Sequence, residues 1–118
     1  MNFLLAILEV RDIDRSLAFY RDLIGLPVIR QFISKEGDRI AMLGQEDQPH
    51  LELVCRQTPK DVVPGNGMAV SFEVEDALEI IRQNEKAFEG PVVTGPDMQF
   101  YFTQDPDGYR VQLQEKRR

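Results

Sequence analysis

Glu52 is the residue that sequence alone places best for chemistry. It stands in the run His50-Leu51-Glu52-Leu53-Val54-Cys55, where strand periodicity turns His50 and Glu52 to one side and Leu51, Leu53 and Cys55 to the other. A carboxylate and an imidazole on one face could ligate a divalent cation, move a proton or contact a bound molecule. His50 is the sole histidine, so one protomer can build no multi-histidine site. Ser71 has no histidine placed beside it, which leaves nucleophilic catalysis without a base. Glu9 and Glu73 occupy matching positions near strand ends and read as rim carboxylates. Cys55 is the only cysteine; it can form no internal disulfide, and its parity with Leu51 and Leu53 makes it a small buried hydrophobe.

These residues need strands to aim them, and the hydropathy pattern supplies strands twice over. Met1 to Val10 alternates Leu4, Ala6, Leu8 and Val10 against Leu5, Ile7 and Glu9, which predicts a strand covered on both faces. Asp12 is a helix cap, Ile13, Leu17, Tyr20 and Ile24 form a buried helical stripe, and Gly25 with Pro27 ends the helix. Strands at Pro27 to Ile33, Arg39 to Leu43 and His50 to Cys55 follow. The stretch 56–67 carries two prolines and two glycines and reads as a linker. Met68 to Val74 is again a strand, Asp76 and Glu79 resemble a capping box, and Ala77, Ile80 or Ile81, and Phe88 make the next stripe. Gly90 and Pro91 then break the chain before strands at Met98 to Thr103 and Tyr109 to Leu113, joined by the turn Asp105-Pro106-Asp107-Gly108.

The two halves superimpose. Leu8-Glu9-Val10 matches Phe72-Glu73-Val74, and 39–53 matches 99–113 without a gap. The repeated unit is strand, helix, then three strands, giving an α+β fold of two tandem βαβββ modules, 1–55 and 68–118, joined by the linker into one domain. The repeat sets Leu5 opposite Ala69, Ile7 opposite Ser71, His50 opposite Arg110 and Glu52 opposite Gln112.

With 118 residues, 42% hydrophobic and 29% charged, the composition is that of a globular domain with a single core. A net charge of -6 argues against a nucleic-acid surface, and the basic tail Lys116, Arg117 and Arg118 is too short to reverse that. No apolar run approaches the roughly 20 residues of a membrane span. Glu9, Arg11 and Asp12 interrupt the first apolar stretch before it can act as a signal peptide, so the expected compartment is the cytoplasm.

Two long motifs carry a family resemblance. The first is Leu8-Glu9-Val10-Arg11-Asp12-Ile13-Asp14-Arg15-Ser16-Leu17-Ala18-Phe19-Tyr20-Arg21-Asp22 and the second is Phe102-Thr103-Gln104-Asp105-Pro106-Asp107-Gly108-Tyr109-Arg110-Val111-Gln112-Leu113, with Leu51-Glu52-Leu53-Val54 between them. The chain resembles the vicinal oxygen chelate superfamily, which includes glyoxalase I, extradiol dioxygenases, epimerases and bleomycin-resistance proteins. That resemblance implies a curved mixed sheet around a cavity, and a homodimer. It also implies four positions for a divalent metal, at Leu5, Glu52, Ala69 and Gln112.

Leu5 and Ala69 have no donor atoms, Gln112 offers only a weak carbonyl oxygen, and Glu52 alone is an ordinary ligand. The expectation is therefore a small-molecule-binding, bleomycin-resistance-like sequestering protein with no metal and no cofactor. Its contacts would come from Leu5, Ile7, His50, Glu52, Ala69, Ser71, Tyr101, Arg110 and Gln112, with Arg39 and Gln99 at the mouth and Gln112 or Arg110 compensating Glu52. The acidic balance suits an organic, cationic ligand. The alternative is a lyase, isomerase or dioxygenase of the same superfamily, with Glu52 as the catalytic group and either an atypical divalent-metal site or metal-free acid-base chemistry.

Overall fold

A computed structural model describes residues 1–58 and 61–116. Pro59 and Lys60 of the predicted linker, and Arg117 and Arg118 of the basic tail, lie outside the described residues. The chain divides into two compact units, Met1–Val63 and Pro64–Arg118.

In the first unit β1 (Leu5–Glu9) leads through helix α1 (Ile13–Leu17) to β2 (Val28–Ile33), β3 (Arg39–Leu43) and β4 (His50–Cys55). Asp12 caps α1 by accepting the Asp14 and Arg15 amides at 3.0 and 3.2 Å. The helix does not end at Leu17: residues Ala18–Ile24 continue it as π-helical turns, closed by Gly25 at φ 97°. The wider turn of i→i+5 bonding lets the successive residues Phe19 and Tyr20 both bury, their rings edge to face at 4.8 Å. The predicted stripe included Ile24, which is only half-buried; Phe19 takes its place.

The strand order is β1-β4-β3-β2. The helical crossover makes β1 parallel to β4, and the short connections make the other pairs antiparallel. Leu8, Ala41, Leu43, Leu51 and Leu53 are buried on one face. The opposite face runs in rows: Ile7, Glu52, Met42 and Arg30 form one, and Glu9, Val54, Ile40 and Phe32 the next.

The second unit repeats the plan with β5 (Ala69–Glu73), α2 (Ala77–Asn84), β6 (Glu89–Val93), β7 (Met98–Gln104) and β8 (Arg110–Lys116), in the order β5-β8-β7-β6. Asp76 accepts the Glu79 amide at 3.1 Å, but Glu79 does not complete a box. Its carboxylate takes Arg82 and Gln83 instead, and the Ala77 amide is satisfied by Glu115 at 2.9 Å. Val111, Leu113 and Ala77 are fully buried, and Ile80 and Ile81 of the helix are nearly so. Phe88 is not part of that stripe; it lies beyond the helix, 49% exposed.

The break expected at Gly90-Pro91 is instead the middle of β6. One extra residue is accommodated where pairing jumps from Glu89 with Phe102 to Val92 with Phe100, and an edge-strand bulge tolerates a proline. Gly90 is required there, since it sits at φ 117° and a Cβ would lie 2.9 Å from the Phe100 carbonyl oxygen.

The architecture is thus α+β, two tandem βαβββ modules each forming a mixed sheet. Each sheet is open, with edges β1 and β2 in one and β5 and β6 in the other, and neither curls strongly or closes into the cavity expected from the sequence. Among the described residues no helix is long and apolar enough to cross a membrane.

Candidate functional site

On the exposed face of the first module Leu5 pairs with His50, and Ile7 with Glu52. Leu5, His50 and Glu52 are half-buried and Ile7 is 60% exposed. His50 Nδ1 lies 3.2 Å from the Gln48 carbonyl oxygen, a contact in which Nδ1 is the donor. Glu52 stands between Ile7 and Met42 in its row, and no described residue gives its carboxylate a hydrogen bond within the module. Glu9, by contrast, is tied to Arg56 at 3.5 Å, and Arg56 also reaches the buried Asp38 at 3.1 Å. Those two carboxylates, Asp38 first, raise the pKa of the Arg56 guanidinium. Glu9 is therefore a structural rim residue.

The second module shows a closed hydrogen-bond circuit. Ser71 pairs with Gln112 in register, and its hydroxyl donates to Gln112 Oε1 at 2.7 Å. Gln114, one strand repeat further along the same face, donates from Nε2 to both Ser71 Oγ and Gln112 Oε1, each at 2.9 Å. The circuit fixes the amide orientation. Gln112 Oε1 has both lone pairs occupied, and its Nε2 is the group left for a ligand. Arg110 lies on that same face; its guanidinium stacks on Phe102 at 3.6 Å and stands 3.6 Å from Glu89 Oε2. Gln112 and Arg110 thus each find partners within their own module.

Three residues expected at the mouth or lining, Tyr101, Gln99 and Arg39, lie on the helix side of their sheets. Tyr101 pairs with Leu113 rather than Gln112 and is 3% exposed. Burial, with Glu115 and Asp76 adding to it, pushes its phenol pKa up, so it stays protonated. Gln99 donates to Glu115, and Arg39 pairs with Asp14 of α1 at 3.2 Å. Strand parity explains all three: each is an odd number of residues from the face that carries Gln112 or Glu52. Gln114 was missed from the sequence, although its parity with Gln112 was a readable signal.

The sequence profile of the Glyoxalase/Bleomycin resistance protein/Dioxygenase superfamily matches residues 3–113. The chain belongs to that superfamily. Lactoylglutathione lyase of Salmonella typhimurium is 30% identical over 125 aligned positions, covering 98% of this chain and 93% of that protein. Among solved structures, the trypanothione-dependent glyoxalase I of Leishmania major superimposes with a TM-score of 0.78 at 25% identity, covering 96% of this chain and 85% of that one. An antibiotic-binding protein from a Streptomyces species shares the fold at a TM-score of 0.70 and 19% identity, covering 99% and 97%.

The superfamily's metal positions can be tested against the residues in place. Leu5 and Ala69 have no lone pairs to give, and the one oxygen of Gln112 is saturated by Ser71 and Gln114. Among the described residues no group of three or more His, Cys, Asp or Glu side chains is placed to hold a metal ion. The donor set does not fit a divalent metal, and the described residues form no conventional metal-dependent active site.

Proposed function

We propose that this member of the superfamily binds a small organic molecule on its exposed sheet faces, as a bleomycin-resistance-like sequestering protein, and carries out no conventional metal-dependent reaction. The observation that carries the reading is the state of the four metal positions: two are aliphatic, one oxygen is saturated, and Glu52 alone is an ordinary ligand, with no hydrogen bond to its carboxylate among the described residues. In the first module Leu5 and Ile7 supply apolar contact around Glu52, which suits a cationic or N–H-bearing group of the ligand. In the second, Ala69 supplies contact while Ser71, Gln112 and Arg110 orient polar groups.

Glu52→Gln is expected to weaken binding of a co-purifying ligand, identified by mass spectrometry, by about tenfold while leaving the unfolding transition in place. Unchanged affinity sinks the role of Glu52. Open sheets bury a ligand only with a further surface, and the proposal includes a homodimer that supplies one. Sedimentation showing only monomer across working concentrations removes that part.

The lactoylglutathione lyase relative favours a second reading, a lyase or isomerase using Glu52 in acid-base chemistry or at an atypical metal site. Metal analysis of protein purified without added divalent ions separates the two. Stoichiometric metal that disappears in Glu52→Ala establishes the second reading and ends the first.

A further inference from the structure

At the end of the second module where the 64–67 segment meets the sheet, a pocket of about 380 Å³ is lined by Gly65, Asn66, Phe88, Glu89, Phe102 and Arg110, among others. Its volume sits at the small end of the roughly 300–1,000 Å³ of ordinary ligand pockets. Phe88 and Phe102 are the aromatic residues of its lining, with the Phe88 ring also 6.4 Å from that of Tyr101, and Arg110 gives it a charge. Among the described residues the guanidinium is only partly used: its central carbon stands over the Phe102 ring, 3.6 Å from the centroid, and its ion pair to Glu89 is longer than a hydrogen bond at 3.6 Å. Among the described residues no acceptor takes a hydrogen bond from Arg110. Glu89 in turn is held loosely, with 75% of its side chain exposed, and an ion pair of that kind contributes little. The ring contact restricts the guanidinium, whose forked donors match the geometry of a carboxylate.

We infer that this pocket is a binding site for a small organic carboxylate, taken by the forked donors of Arg110, with Phe88 and Phe102 against its apolar body. Glu89 is the competitor that the ligand displaces: its carboxylate occupies the guanidinium loosely when the pocket is empty and swings into water when it is filled. Asn66 lines the same pocket and adds a neutral amide donor. The inference extends the small-molecule reading above and rests on it through Arg110, but it uses a pocket that reading does not.

Nuclear magnetic resonance titration of the labelled chain tests it, with sodium benzoate as the probe, benzamide as its neutral isostere and inorganic phosphate as an anion with no apolar body. Benzoate should move the amide signals of Gly65, Asn66, Phe102 and Gly108 saturably, and benzamide should not. Arg110→Gln should weaken benzoate about tenfold or more, whereas Glu89→Gln should tighten it several-fold by removing the competitor. Glu89 is a surface residue, so its variant folds even if Arg110→Gln does not. Equal binding of benzamide, phosphate as tight as benzoate, or weaker binding in Glu89→Gln overturns the inference. Glu52→Gln provides the separation: it should leave benzoate binding unchanged while weakening the co-purified ligand, so either proposal can fail alone.

Discussion

Replacing Asp105 with alanine is expected to lower the unfolding free energy by about 3 kcal/mol, read as a fall in the urea midpoint at constant slope. Asp105 opens the turn between β7 and β8 and is 0% exposed. Its Oδ1 accepts the backbone amides of Asp107 and Tyr109, each at 2.9 Å. Alanine leaves both donors without that acceptor, the Asp107 amide buried and the Tyr109 amide part-buried, and each such donor costs about 1–3 kcal/mol. Asparagine keeps an oxygen at the same position and should recover most of the loss. Two backbone bonds also close the turn, Asp105 N–H to the Tyr109 carbonyl at 3.0 Å and Gly108 N–H to the Asp105 carbonyl at 3.1 Å. A loss below about 1 kcal/mol for alanine would mean that those two suffice. The consequence reaches the site, because β8 begins at Arg110 and carries Gln112.

Leu53→Ala and Leu113→Ala should each cost about 2–5 kcal/mol, the range for removing a buried leucine side chain. The two occupy matching positions in the repeat, each at the centre of its own sheet, and both are 0% exposed. The spread in such costs comes from how far neighbours collapse into the space. Leu53 pairs with Ala41 and Leu8, whereas Leu113 pairs with the larger Tyr101 and Phe72. The loss should therefore be greater at Leu113, where rings resist moving into the gap. Methionine at either position conserves volume and should cost less than about 1.5 kcal/mol. Urea unfolding of the four variants reads the order directly; equal losses for both alanines would refute the argument from neighbours.

Much of the fold was legible because the signals were local. Arg39–Leu43 and His50–Cys55 begin and end where alternation and turn residues placed them, and Asp12, Gly25 and Asp76 act at their helix ends as their chemistry predicts. β6 was not legible. Glycine and proline mark a break in any single strand, and only the partner strand β7 absorbs them as an edge bulge. The π-helical stretch hid for a similar reason, since the spacing of Ile13, Leu17, Tyr20 and Ile24 suits an ordinary helix, and burial of Phe19 arises from packing. At the candidate site, strand parity grouped Leu5, Ile7 and Glu52 on one face and Ser71, Arg110 and Gln112 on another, as the pairing has them, whereas Tyr101 turns to the buried side with Leu113. Partners were beyond reach: nothing local says that Glu89, across the sheet, stands by Arg110.

The circuit of Ser71, Gln112 and Gln114 has a consequence for selectivity. A glutamine side chain ordinarily samples many rotamers and presents either end of its amide, so it welcomes donors and acceptors alike. Here three side chains hold one another, and the amide of Gln112 is frozen nitrogen-outward before any ligand arrives. Preorganisation of this kind removes an entropy loss from binding and makes the position discriminating. A carbonyl or carboxylate meets a donor already aimed, while an amine or ammonium group in the same place meets N–H groups and no lone pair. Under the proposed function, chemical choice at this position is thus settled by folding, and the guest only accepts or declines it.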